Sequence, residues 1–212
     1  MKVVVVTVPM MPPERNYLVQ YPVDGNKTIE YDNPVRCPVN GVLAKTLKSG
    51  EDVRIIYIVT TGKNSEGEQN KKNFMQELES INQKIGAVLS YDMVEINFLP
   101  TKQTYNKLIF DLAEKIPENA EIYSDITFGY KTEILSLFCA LRFVEEFRNA
   151  TVDFFIYGKA EFKYNKETKE TEIENPMLYD ITSLYYLFKL MGTMGTSDAE
   201  TATKVLKNFF AI

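Results

Sequence analysis

Two hydrophobic patterns take turns along the chain. Short runs rich in β-branched residues, at 3–8 (VVVVTV), 53–59 (VRIIYIV), 93–99, 121–124 and 152–157, are separated by longer stretches with helical periodicity. This is the order of an α/β fold, and it predicts a Rossmann-like, mainly parallel sheet flanked by helices, with β-hairpin insertions and a C-terminal helical segment. The first two runs are apolar at nearly every position, as befits strands covered on both faces. Helices are predicted at 38–48, closed by Gly50, and over a stretch carrying Phe74, Leu78, Ile81 and Ile85 before Gly86. Two more are predicted at 101–115 and along the stripe Ile134, Leu137, Phe138, Leu141 and Val144.

Three stretches interrupt this alternation. Tyr17, Val19, Tyr21 and Val23 recur at period two, the turn residues Asp24, Gly25 and Asn26 follow, and then come Thr28, Ile29 and Tyr31; the pattern predicts a hairpin. Residues 158–174 alternate apolar and charged positions around a polar centre, which predicts an exposed hairpin with Lys and Glu toward solvent. Beyond residue 178 lie two helices separated by residues 192–198, where Ser197 or Asp198 can cap the second. The resulting division is a ligand-binding domain at 1–176 and a helical extension at 177–212. In the final pair of helices Lys189, Lys204 and Lys207 are balanced by Asp180, Asp198 and Glu200, so no basic stripe exists to track DNA.

Composition narrows the chemistry. The 212 residues are enough for one well-buried core, and 24 Lys plus Arg against 29 Asp plus Glu give a net charge of −5. Histidine is absent. That excludes a Ser-His or Cys-His nucleophile pair, a histidine zinc site and an imidazole base, leaving carboxylates, lysines, hydroxyls and backbone. Cys37 and Cys139 are far apart, lack metal-ligand spacing and read as reduced thiols. The N-terminal apolar run is too short for a secretory core and no stretch reaches the length of a membrane span, so a cytoplasmic protein is expected, with no metal and no cofactor.

Ligands of open α/β sheets bind beyond the carboxyl ends of the strands, where helix N-termini present free amides. Four segments fall there: 7–16, 60–63, 125–132 and 158–161. None is a G-x-G-x-x-G or Walker loop. In the first, Pro9, Pro12 and Pro13 lack amide hydrogens, so it is a poor phosphate cradle; Met10, Met11 and Asn16 could instead form a wall against a flat base, or the loop is only a stiff connection. The third, Asp125-Ile126-Thr127-Phe128-Gly129-Tyr130-Lys131, is the strongest local signal, with Gly for close approach, a Thr hydroxyl and a lysine beside a helix start. Asp125 would either accept from a ribose hydroxyl or order the turn through its own backbone. The whole segment also reads as a strand-to-helix turn that needs Gly and Thr for geometry alone. Lys63 and Lys159, taken singly, read as solvated surface lysines.

The order of elements and the 125–131 motif resemble the CRISPR-associated Rossmann fold (CARF) sensors of type III CRISPR defence, whose motif typically reads Asp-aliphatic-Thr-His-Gly-aromatic-Arg. Further marks are the strand end before Asn16-Tyr17 with Tyr21 following, Pro38-Val39 leading to Ile58-Val59-Thr60-Thr61, and Phe155-Ile156-Tyr157-Gly158 before the acidic, aromatic hairpin. The resemblance covers about residues 1–190. Phe128 stands where His is usual and Lys131 where Arg is usual, so stacking replaces a polar contact and bidentate phosphate recognition is lost. The resemblance implies a homodimer that binds a cyclic oligoadenylate, most often the four-adenosine ring, across its two-fold axis. By position, Thr7, Val8, Pro9, Met10, Met11 and Asn16 would line one side of the ring. Thr127, Phe128, Gly129, Tyr130, Lys131 and Thr132, with Asp125 at the turn, would hold phosphate and ribose, helped by Thr61 and Lys63. The commonest effector of such sensors, a HEPN ribonuclease, needs an Arg-x4-6-His motif that a chain without histidine lacks. The resemblance therefore implies a standalone sensor or one controlling an effector outside this chain. The alternative it implies is a slow, metal-independent ring nuclease in which a ribose 2′-hydroxyl attacks the neighbouring phosphorus and Lys131 stabilises the charge.

Overall fold

The structure, a computed structural model, describes residues 1–210 apart from 63–65, 98, 100, 166–168, 170 and 194–197. Its centre is β1 (Lys2–Thr7), all six residues of which are buried. Val4 and Val6 enter one apolar layer with α1 (Pro38–Thr46) and α2 (Gly67–Asn82). Val3 and Val5 enter the opposite layer with α3 (Lys102–Lys115), α4 (Lys131–Phe147) and α5 (Thr182–Thr193). Consecutive valines suit a strand with core on both sides, and each fully buried one contributes roughly 1.5–3 kcal/mol.

The remaining strands are β2 (Val23–Asp24), β3 (Asp52–Thr61), β4 (Val88–Asn97), β5 (Glu121–Asp125), β6 (Thr151–Tyr164) and β7 (Thr171–Asp180). They form one seven-stranded sheet in the order β2-β7-β6-β5-β1-β3-β4. The run from β6 to β4 is parallel, β7 is antiparallel to β6, and β2 adds a parallel edge to β7. The chain leaves β1 toward β3 and β4, then returns to lay β5 and β6 on the other side. That reversal is the topological switch point of a Rossmann-like sheet, as the alternation of elements predicts.

Several boundaries depart from the sequence pattern. The stretch 17–31 is not a hairpin. Val19, Tyr21, Val23 and Ile29 are all buried against the core, so they follow its surface instead of pairing with each other. Val19 bridges Val35, Val23 and Asp24 join β7, and Asn26 turns the chain into a 3-10 segment at Lys27–Ile29 by accepting from Thr28 N at 3.1 Å. The third parallel strand starts at Val88, ahead of 93, because β4 pairs along the whole of β3; as an edge strand it tolerates Ser90 and Asp92. The exposed hairpin is formed by β6 and β7, and β7 runs on to Asp180.

Tyr185 of α5 is buried against Phe138 and Phe155, with ring centroids 5.0 and 5.2 Å away. Asp198 caps α6 (Ala199–Phe210) through Thr201 N at 2.9 Å, whereas Ser197 lies outside the described residues. Cys37 is buried and Cys139 exposed, and both are free thiols. Among the described residues no helix is long and apolar enough to cross a membrane, and no cluster of three or more acidic or cysteine side chains could hold a metal ion.

Candidate functional site

At the switch point the ends of β1 and β5 are locked together. Thr7, the last residue of β1, donates its hydroxyl to Phe128 O at 2.5 Å and lies 3.3 Å from Asp125 O. Asp125 is 1% exposed. Its Oδ1 accepts from Thr127 N and its Oδ2 from Val39 N, both at 2.9 Å, so one carboxylate orders the turn and fixes the first turn of α1. Of the two roles open to it in the sequence, Asp125 takes the structural one; a ribose hydroxyl cannot reach a side chain so enclosed. Burial raises its pKa, and hydrogen bonds from Thr127 and Val39 oppose that rise.

The motif's other polar groups are similarly engaged. The Thr127 hydroxyl accepts from Gly158 N at 2.8 Å, tying the turn to β6. Phe128 packs inward, 6.0 Å between centroids from Phe74, so much of its ring belongs to the core and it is not a free stacking platform. Gly129 has φ +97°, and a Cβ there would sit 2.8 Å from Glu133 Oε2 and 3.2 Å from Thr7 Cβ. The glycine is thus required by the turn itself.

Beneath it lies Glu133, 4% exposed, a residue the motif did not flag. Its Oε2 accepts from Tyr130 N at 3.0 Å, half of a capping box, and its Oε1 accepts from the Thr60 hydroxyl at 3.3 Å. Burial is the main cause of its raised pKa. The usual capping signature has Ser or Thr three residues earlier; here Tyr130 occupies that place, which hid the signal.

The proline loop is held by another residue missed in the sequence. Asn70, fully buried in the first turn of α2, donates to Pro9 O at 2.9 Å and Met11 O at 2.8 Å. A polar asparagine at a helix start looks like a capping or surface residue until its partners are known. Val8 and Pro9 are buried, Met10 is half-buried and meets the Tyr130 hydroxyl through its sulfur at 3.7 Å, and Met11 is exposed.

The 125–131 turn separates two recesses. On one side a cleft of about 530 Å³ is lined by Tyr105, Tyr130, Lys131, Thr132, Glu133 and Asn97. Lys131, first residue of α4, is exposed and without an ion pair among the described residues; the Thr132 hydroxyl donates to Tyr105 Oη at 2.6 Å. A cation at a helix N-terminus works against the helix dipole, and an anion placed there would meet both positive sources. On the other side a pocket of about 220 Å³ lies between Asn16, Tyr17, Thr127, Phe128 and the start of the β6–β7 hairpin. Thr61 stands apart from both, half-buried with its hydroxyl on Ile96 O at 3.3 Å, and Lys63 lies outside the described residues.

Strand order and crevice together define a Rossmann-like α/β protein with a mixed edge. No protein-family model matches the chain, and no curated protein matches it.

Proposed function

We propose that this chain is a receptor for a cyclic oligoadenylate, the four-adenosine ring above others, bound at a homodimer interface and controlling an antiviral effector. The observation that carries the reading is the joining of the two candidate ligand segments at the switch point. The Thr7 hydroxyl ties the 7–16 loop to the 125–131 turn, and α4 begins there with exposed Lys131. Anionic phosphodiesters suit that helix start, and flat bases suit the aromatic recess beside it. A two-fold partner is favoured by the apolar surface of α4, where Leu135 is 65% and Phe147 70% exposed. An interface along that helix would bring two crevices together.

Ring cleavage is the second reading, favoured by the same Lys131, which has no ion pair among the described residues. The 2′-oxygen would bond to the adjacent phosphorus as the bond to the 5′-oxygen breaks, the 2′ proton passing to water and the 5′-oxygen taking one up. Both buried carboxylates of the site are already held by internal hydrogen bonds, so no free base stands ready and turnover would be slow. Calorimetric titration with cyclic tetra-adenylate and cyclic hexa-adenylate tests the receptor: heat with one ring is expected, and no heat or thermal shift with either removes the reading. Labelled ring recovered intact after a long incubation leaves binding alone, and Lys131→Ala separates binding from turnover.

A further inference from the structure

A groove of about 500 Å³ runs between α2 and the 31–36 segment, and it shares no lining residue with either recess beside the 125–131 turn. Its two walls are tied to each other through Glu77. That carboxylate accepts from Arg36 N at 2.7 Å, Cys37 N at 3.1 Å and Asn40 Nδ2 at 2.8 Å, so helix, segment and the start of α1 hold one another in place. We propose that this groove binds an extended segment of a partner protein. About three residues of the segment lie along α2, with an acidic side chain set against Arg36 and an apolar one against Leu18 and Ile81. The inference goes beyond the receptor reading and does not depend on it.

The lining matches the repeat of an extended main chain. Asn73, Gln76 and Ser80 occupy one face of α2, and Asn33 stands on the other wall. Gln76, Ser80 and Asn33 are exposed, while Asn73 is half-buried and accepts from Gln69 Nε2 at 3.1 Å. A side-chain amide carries a donor and an acceptor side by side, which a peptide group answers with its own C=O and N–H. Helix neighbours three apart lie about 5–6 Å from each other, close to the roughly 6.7 Å between peptide groups that point the same way along a strand. From 73 to 80 the helix rises about 10 Å, the length of three extended residues. Leu18, 45% exposed, and Ile81 give an apolar seat for a side chain. Arg36 supplies the charge: its side chain is half-buried and has no ion pair among the described residues, and the Glu77 oxygens are taken up by three other donors. A guanidinium so placed favours a carboxylate on the incoming segment.

The test is a selection of phage-displayed random dodecapeptides on the immobilised whole chain, without any oligoadenylate, followed by fluorescence anisotropy of an enriched peptide. Enriched sequences are expected to share an acidic residue within about four positions of an apolar one. Their Kd should be on the order of micromolar, since the contact is smaller than a standard interface. Arg36→Gln should weaken the peptide about tenfold by removing the charge-assisted bonds, and Arg36→Glu should reverse the preference toward the same peptide with its acidic residue changed to lysine. Ser80→Tyr, a change at an exposed helix position, should fill the groove and abolish binding. Each variant is first checked for an unchanged thermal unfolding curve. A selection that enriches no such sequence overturns the groove assignment, and so does a peptide that binds Arg36→Gln and Ser80→Tyr as tightly as wild type. Either result leaves the receptor reading standing, because the ring titration reads different residues. Peptide binding that Ser80→Tyr abolishes supports the groove even where neither ring binds.

Discussion

The two sides of the switch-point crevice differ in how the polar side chains at their surfaces are used, although Ser124 Oγ behind the motif and Asn70 Oδ1 under the proline loop are also buried without a partner among the described residues. On the side of the 125–131 turn, Asp125 accepts from two backbone amides, Thr7 and Thr127 commit their hydroxyls, and Glu133 caps α4 while holding Thr60. On the side of the hairpin, Asn16 is 6% exposed and its amide nitrogen has no hydrogen-bond partner among the described residues. Satisfied networks in low dielectric are rigid, whereas a buried donor without a partner costs stability. The contrast gives the motif's polar side chains a part in building the crevice, and leaves Asn16 Nδ2 on the hairpin side as an open donor among the described residues.

The strongest way to break this contrast is to show that the motif carboxylate does little for stability. Asp125→Ala leaves the amides of Val39 and Thr127 without their acceptor. Each orphaned donor costs about 1–3 kcal/mol, so the variant should lose about 3 kcal/mol in urea unfolding with an unchanged m-value. A loss below about 1 kcal/mol would mean that the turn is pinned by something other than this side chain.

What the sequence disclosed, and what it withheld, follows the same division. The parallel strands were legible because burial on both faces writes itself as unbroken β-branched runs, and the crevice was legible because strand ends and helix starts have positional rules. The motif's Asp, Thr and Gly were visible, but whether they face a ligand or the fold depends on partners far away in sequence: Val39 for Asp125, Gly158 for Thr127, Thr7 for Gly129. The false hairpin at 17–31 has the same origin. Period-two apolarity reports one buried face, and the core supplied that face without a paired strand. Asn70 acts through the Pro9 and Met11 carbonyls of a distant loop, and Glu133 acts through the amide of Tyr130 at the start of its own helix, where a tyrosine in the capping place hides the signal.

A smaller effect sharpens the comparison through pH. Glu133 has a raised pKa, chiefly from burial. A carboxyl with a folded pKa above its unfolded value of about 4 holds more protons folded than unfolded, so its stabilisation is full below that value and is lost as pH rises through the folded pKa. Glu133→Gln keeps an oxygen for Tyr130 N and an amide for Thr60, so at pH 7 it should lie within about 1 kcal/mol of wild type. Its deficit should be larger at pH 4 than at pH 7, measured by urea unfolding at the two pH values. A deficit that grows toward pH 7 would show that the ionised carboxylate is favoured in the folded protein, contrary to its burial.

The smallest expected effect has the most diagnostic sign. In the ligand-free protein Asn16→Leu removes a buried donor that has no partner, and leaves intact the backbone bond from Asn16 N to Pro13 O at 3.1 Å. Recovering the desolvation of that amide favours the variant, while fitting a branched side chain beside Tyr17 and Phe128 opposes it, so the net should lie between zero and about 1 kcal/mol of added stability. Most buried substitutions destabilise, which makes a neutral or positive result informative. A residue that costs stability in the empty protein and is required for binding would mark the hairpin side as the reading side. A loss of 2 kcal/mol or more in the same urea titration would show that the Asn16 amide is answered within the fold, and the two sides of the crevice would then be alike.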